Sequence, residues 1–249
     1  MDVPAYIAVS VAFAFLLAGI VKGVVGMGLP PVAIGFLTFV MSPAQAAALV
    51  VVPQFVTNIW QMTIGPGLYQ ALKRFWSLQA GVCFGTWVGS ELIRPGETRI
   101  PAAVLGITLA LYSTLILASV QVAVPRRVER WLSPFIGAAT GVILGVTGIL
   151  IVPLVPYIQA LDLSKEELLQ VLGISFVVAA IALGAMLARA DILQISVATG
   201  SLLALLPAAA GMLIGRWMLQ RVSPDTFRII FLWGLLALGS SITFRAIFQ

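Results

Sequence analysis

Apolar runs of membrane length alternate along this chain with short clusters of charge, proline and glycine. Reading between the clusters gives ten stretches, at about 5–22, 29–41, 44–64, 75–93, 100–123, 132–147, 150–161, 167–188, 192–215 and 227–247. A spanning helix needs about 20 apolar residues, and backbone groups in lipid must be satisfied within the segment, so the long runs predict membrane helices. The stretches 29–41 and 150–161 are too short to cross alone. Each follows a glycine-rich interruption, which predicts a broken or re-entrant helix.

Composition points the same way. The chain is 61% apolar and 9% charged, whereas a soluble domain carries about 25% charged residues. That excludes a cytosolic enzyme and a disordered protein. Histidine is absent and Cys83 is the single cysteine. Histidine metal sites, imidazole relays, internal disulfides and thiolate clusters are therefore excluded, and no catalytic residue, metal or cofactor is expected. The net charge of +5 comes from basic residues at segment ends, which reads as topology information and not as a nucleic-acid surface. Residues 5–21 have no basic region before them, so they read as a first membrane segment and not as a cleavable signal. The six tryptophans lie mostly near segment ends, where interfacial anchoring is the expected role.

The segments repeat. A shift of 122 residues places Gly19 on Gly141, Gly23 on Gly145, Gly26 on Gly148, Pro31 on Pro153 and Ser42 on Ser164. Later in each half, Gly85-x3-Gly89 matches Gly211-x3-Gly215 at a shift of 126. Matched interruptions specify backbone shape and so carry more weight than matched apolar residues. They imply two repeats, 1–124 and 125–249, in a single integral membrane domain. The expected fold is all-α and polytopic. Each repeat has about five helical segments including one broken or re-entrant, for 8–10 membrane segments altogether.

Basic clusters set the orientation. Lys73-Arg74, the run Arg126, Arg127, Arg130 and the group Arg216, Arg221, Arg228 are the cytoplasmic candidates. Placing all three inside gives each half an odd net number of crossings. The second half is then inverted relative to the first, and both termini lie on the external face of a plasma or inner membrane. Arg189 and Arg245 fall outside on this scheme and vote against it.

Inverted repeats with paired interruptions point to a secondary-transporter site, where half-helix N-termini aim unpaired N–H groups at an anion near the midplane. The interruptions here run through Gly23, Gly26, Met27, Gly28 and Pro31, and through Gly145, Thr147 and Gly148. Glycine lets the backbone approach a ligand, and unwound backbone is tolerable in a bilayer where it lines a protein cavity; close helix packing is the alternative role for these glycines. Lys22 lies inside the first break and would supply positive charge, or else snorkel to an interface. Gln54, Thr57, Asn58 and Gln61 share one helical face; that stripe either binds an oxyanion or ties helices together. Its counterpart stretch, 175–183, keeps only Ser175 as a polar residue. Thr147 either donates to the ligand or bonds its own helix. No Asp or Glu lies deep in any segment, so a carboxylate proton relay is hard to build. Any coupling falls to sodium on backbone carbonyls or to a proton on the substrate, with simple facilitated flow of the anion as the uncoupled alternative.

The two glycine motifs resemble those of the TauE/SafE sulfite exporter family of membrane permeases, whose pattern is G-x3-G-x2-G-x-G with a nearby proline opening each half. The first copy is Gly19, Gly23, Gly26, Gly28 with Pro30 and Pro31; the second is Gly141, Gly145, Gly148 with Pro153. In the second copy Ile149 and Leu150 stand where many members continue in glycine. The resemblance spans nearly the whole chain. It implies transport of a sulfur-containing or organic anion such as sulfite, thiosulfate, sulfoacetate or a related sulfonate. The expected partners are that small anion and the lipid bilayer, with no nucleic acid. An anion channel and a structural subunit of a membrane complex are the competing readings.

Overall fold

The computed structural model describes residues 5–94, 96–118, 123–219, 221 and 223–248. Ten helices follow in order: α1 (Ala5–Val25), α2 (Leu29–Leu37), α3 (Pro43–Met62), α4 (Leu68–Glu91), α5 (Arg99–Leu117), α6 (Arg126–Thr147), α7 (Leu154–Gln159), α8 (Lys165–Arg189), α9 (Ile195–Met218) and α10 (Pro224–Phe248). No strand occurs among the described residues. Five helices, α1, α5, α8, α9 and the stretch Asp225–Phe248 of α10, are long and apolar enough to cross a membrane. The chain is a multi-pass membrane protein. The helices α2 and α7, of 9 and 6 residues, are far shorter than a roughly 30 Å hydrocarbon core requires at 1.5 Å per residue.

Several boundaries differ from the sequence reading; α2 closes at Leu37 and α5 at Leu117. Helix α4 begins at Leu68 and not near 75, so Lys73-Arg74 sits on its second turn. Helix α6 begins at Arg126 and not near 132. Both basic clusters are thus helix ends, not loops. The physical reason is tertiary: Arg74 donates through Nε and Nη2 to the Glu129 carboxylate at 2.7 and 2.6 Å, which keeps both helices wound beyond their apolar runs. The second short segment shrinks to Leu154–Gln159, because residues 148–153 are unwound.

The local geometry is consistent with a duplication at a shift of 122. Helices α3 and α8 each open with a capping box. The Ser42 hydroxyl accepts from the Gln45 amide and the Gln45 side chain accepts from the Ser42 amide; Ser164 and Glu167 repeat both bonds. The halves also exchange packing partners: α1 lies against α9, and α6 lies against α4. A Cβ on Gly19 would strike the Ala208 backbone and one on Gly23 the Met212 backbone, while one on Gly141 would strike Val82 and one on Gly145 would strike Thr86. Small residues let these helix backbones touch, which is how helices associate where lipid offers no hydrophobic drive.

Helix α3 contains Pro53, which has no N–H to give the Leu49 carbonyl. The Ser201 hydroxyl from α9 fills the gap: it donates to Leu49 O at 2.7 Å and accepts from the Val52 amide at 3.2 Å. Ser201→Ala is expected to cost about 1–2 kcal/mol, read as a lower Tm in detergent; an unchanged Tm would mean that the proline step needs no partner.

Candidate functional site

Both predicted breaks are real, and both turn on a glycine in the left-handed region. The amide of Gly26 closes α1 on Lys22 O at 2.8 Å, and that of Gly148 closes α6 on Leu144 O at 2.7 Å. Their φ angles are +80° and +78°, at positions 122 residues apart. Gly28 follows at φ +104°. A residue with a Cβ adopts this conformation only at a cost.

Beyond each glycine the backbone leaves donors unused. The amides of Gly28 and Leu29 in the first break, and of Leu150 and Ile151 in the second, are buried and have no hydrogen-bond partner among the described residues. Buried orphan N–H groups are rare in folded proteins. The Ile149 amide is satisfied, donating to Thr147 Oγ1 at 3.2 Å. The two breaks meet: Met27, Gly28 and Pro31 from one, and Ile151 with Val155 from the other, line a single small pocket. Tyr112 of α5, Phe176 of α8 and Phe231 of α10 complete its wall. Its free space is about 10 Å³, the threshold for one water. The Tyr112 hydroxyl points at Met27 Sδ, 3.8 Å away.

Lys22 lies one turn before the first break and is buried. Its Nζ donates to Asn58 Oδ1 at 2.7 Å, and among the described residues it forms no ion pair with a carboxylate. Asn58 is in turn held by its Nδ2 bond to Gln54 O at 2.7 Å. The rest of the α3 stripe ties helices. Gln54 Nε2 donates to Phe176 O at 3.1 Å, and Gln61 Nε2 to Leu169 O at 3.3 Å. Gln54 and Phe176 are themselves 122 residues apart, so counterpart positions of the two halves touch here. The Thr57 hydroxyl donates to Pro53 O of its own helix at 2.7 Å, and that of Thr147 to Ile143 O at 2.6 Å.

The structure therefore gathers some of the expected residues and separates others. Met27, Gly28 and Pro31 line the pocket. Gly26 and Gly148 shape the breaks behind it, the first near Leu169 and the second against Ala47 and Ile34. Gly23 and Gly145 face neighbouring helices, where they permit contact with α9 and α4. Ser175 donates to Val171 O and accepts from Gln79 Nε2 at 2.8 Å, away from the pocket wall. Gln79 was not foreseen, and its Oε1 is a buried acceptor without a partner; the signal was one amide inside an otherwise apolar stretch. Tyr112 carried a similar signal. Phe176 is the 122-shift counterpart of Gln54, and Phe231 had no signal at all.

The sequence model for the family described as Sulfite exporter TauE/SafE matches residues 11–242. No curated protein and no solved structure matches the chain.

Proposed function

The chain belongs to the sulfite exporter TauE/SafE family, and from that membership we propose that it is a secondary permease for a small sulfur-containing or organic anion, with sulfite, thiosulfate and sulfonates such as sulfoacetate as the first candidates. One observation carries this reading. Two helix breaks, at positions 122 residues apart, place Gly28 and Ile151, whose amides have no hydrogen-bond partner among the described residues, in the wall of one pocket, with the buried Lys22 one turn before the first break. The amides of Gly28 and Leu29 open α2, and a helix N-terminus attracts anions through aligned dipoles; Lys22 is a basic group placed where lipid would otherwise make it costly. In this reading Met27, Gly28 and Pro31 wall the site. Gly26 and Gly148 hold the breaks open, and Lys22 attracts the anion while Asn58 positions it.

The proposed topology has both termini external and the repeats inverted. Two ion pairs among the described residues each join ends that this scheme puts on the same side: Arg74 with Glu129 inside, and Arg189 with Glu91 at 3.0 Å outside. A space of about 10 Å³ is too small for a permanent pore, which favours a carrier that opens in turn over a channel.

The test is flux in reconstituted vesicles against sulfite, thiosulfate, sulfoacetate and acetate. Saturable movement of at least one sulfur anion, above that in protein-free vesicles, is the expected result. Flux that never saturates would favour a channel. No flux of any anion would overturn the permease reading and leave a structural subunit.

A further inference from the structure

The wall of the central pocket holds one side-chain hydroxyl among the described residues, that of Tyr112 on α5. The residue is buried, at 6% exposure. Its hydroxyl has a thioether as acceptor, Met27 Sδ at 3.8 Å. Sulfur accepts weakly, and a buried tyrosine hydroxyl ordinarily reaches a stronger partner. The other hydroxyls along α5 do: those of Thr108, Ser113 and Thr114 donate to carbonyls one turn back at 2.7, 2.9 and 2.9 Å. Tyr112 alone among these four keeps a donor whose bond gives way cheaply.

Around that hydroxyl the side chains are hydrocarbon. Pro31, Ile151, Val155, Phe176 and Phe231 bring no polar side-chain atom to the wall, and no charged side chain lines it among the described residues. The Phe231 ring reaches the first break, since a Cβ built on Gly28 would lie 3.5 Å from its Cζ. The unpartnered amides of Gly28 and Ile151 belong to the same wall. Hydroxyl and amides are all donors, so the wall asks for a few acceptor oxygens and otherwise for carbon. Sulfite is polar on every side, and the atoms it set against the rings would go unpaired at a desolvation cost. A short alkanesulfonate offers oxygens at one end and hydrocarbon at the other.

We propose that Tyr112 is a substrate-binding residue that selects the anion: its hydroxyl leaves Met27 Sδ and donates to a sulfonate oxygen, while Ile151, Val155, Phe176 and Phe231 take up a short alkyl body. The preferred substrate class is then a short-chain alkanesulfonate and not an inorganic oxyanion. The assignment rests on the permease reading of this pocket. The pocket, with about 10 Å³ of free space, widens as the carrier opens.

The experiment measures flux and ligand-induced thermal stabilisation in phosphatidylcholine vesicles, with methanesulfonate, ethanesulfonate and sulfite. The proteins are wild type, Tyr112→Phe, Met27→Leu and, as a control on the same helix, Ser113→Ala. Ethanesulfonate should half-saturate about 4-fold below methanesulfonate, the effect of one buried CH₂, and about 10-fold or more below sulfite. Tyr112→Phe should raise the half-saturating concentration of ethanesulfonate about 10-fold or more, because a hydrogen bond to a charged group is lost. Met27→Leu, a volume-conserving change, should lower it about 2- to 3-fold, because the hydroxyl no longer gives up a bond. A tyrosine that merely held Met27 in place would make the two variants shift together. Ser113→Ala should behave as wild type. Wild-type half-saturation in Tyr112→Phe, or a parallel shift in the two variants, overturns the role of Tyr112. Sulfite half-saturating below ethanesulfonate overturns the substrate class; the permease reading survives both results. Stabilisation by ethanesulfonate that Tyr112→Phe removes, without flux of any anion, supports the role of Tyr112 and overturns the permease reading. With neither flux nor stabilisation, both fall. Should Tyr112→Phe not fold, the sign of the Met27→Leu shift decides, a fall supporting the proposal and a rise or no change overturning it.

Discussion

Gly148→Leu is expected to abolish anion flux and to lower stability by about 3 kcal/mol or more. Two independent costs add. The left-handed backbone at φ +78° strains any residue with a Cβ, by about 1–2 kcal/mol. A Cβ here would also press on Ala47 Cβ and Ile34 Cδ1, and overpacking of that kind costs about 1–3 kcal/mol. The counterpart Gly26 shares the angle, at φ +80°, but its Cβ would meet only Leu169 Cδ2 in ordinary contact at 3.5 Å. The alanine series is therefore the sharper comparison. Gly26→Ala should lose about 1 kcal/mol and keep part of its flux, while Gly148→Ala should lose more of both. Thermal unfolding in detergent and vesicle flux read the two effects separately. Full transport in Gly148→Leu would remove the tight second break from the mechanism.

Lys22→Met is expected to reduce flux at least about 30-fold while leaving Tm unchanged or raised. The prediction separates function from architecture, because a residue retained for stability would show the opposite sign. Lys22 is buried and bonds to a neutral amide oxygen at 2.7 Å. A buried charge lacking a carboxylate partner costs free energy, and a methionine of similar length removes that cost while filling the space. The loss on the other side is one Nζ–Asn58 bond, about 1 kcal/mol. For an anion in transit, losing a charged contact worth about 2–3 kcal/mol corresponds to the stated fall in rate. Unaltered flux together with a higher Tm would take Lys22 out of the site.

Much of this was legible along the chain. The breaks after Val25 and Thr147 were marked by Gly26 and Gly148, since so few residues accept a positive φ. The starts of α3 and α8 were marked by Ser42 and Ser164. The Gly-x3-Gly pairs marked the helix contacts of α4 and α9. The same glycine code left two roles open. Gly23 and Gly145 sit in the motif beside true break residues, yet they make helix contacts, because a missing Cβ serves a backbone crossing and a ligand cradle equally well. The polar stripe on α3 was visible as a stripe, but its division of labour was not. Gln54 and Gln61 bridge to α8 while Asn58 holds Lys22, and that depends on which helix lies opposite.

By itself the sequence determined an all-helical membrane protein with a recurring glycine and proline pattern and two helix breaks 122 residues apart. Those features are local, set by backbone sterics, capping and the need to satisfy every N–H in lipid. Only the tertiary structure decided that Tyr112, Phe176 and Phe231 close the pocket, and that Ser201 mends the proline step of α3. The reason is the solvent. Lipid tails are as apolar as a leucine core, so the face of a helix that meets protein and the face that meets the bilayer carry the same kinds of side chain. The periodicity that reveals the buried face of a helix in water is weak in α1, α8, α9 and α10, and survives clearly in α6.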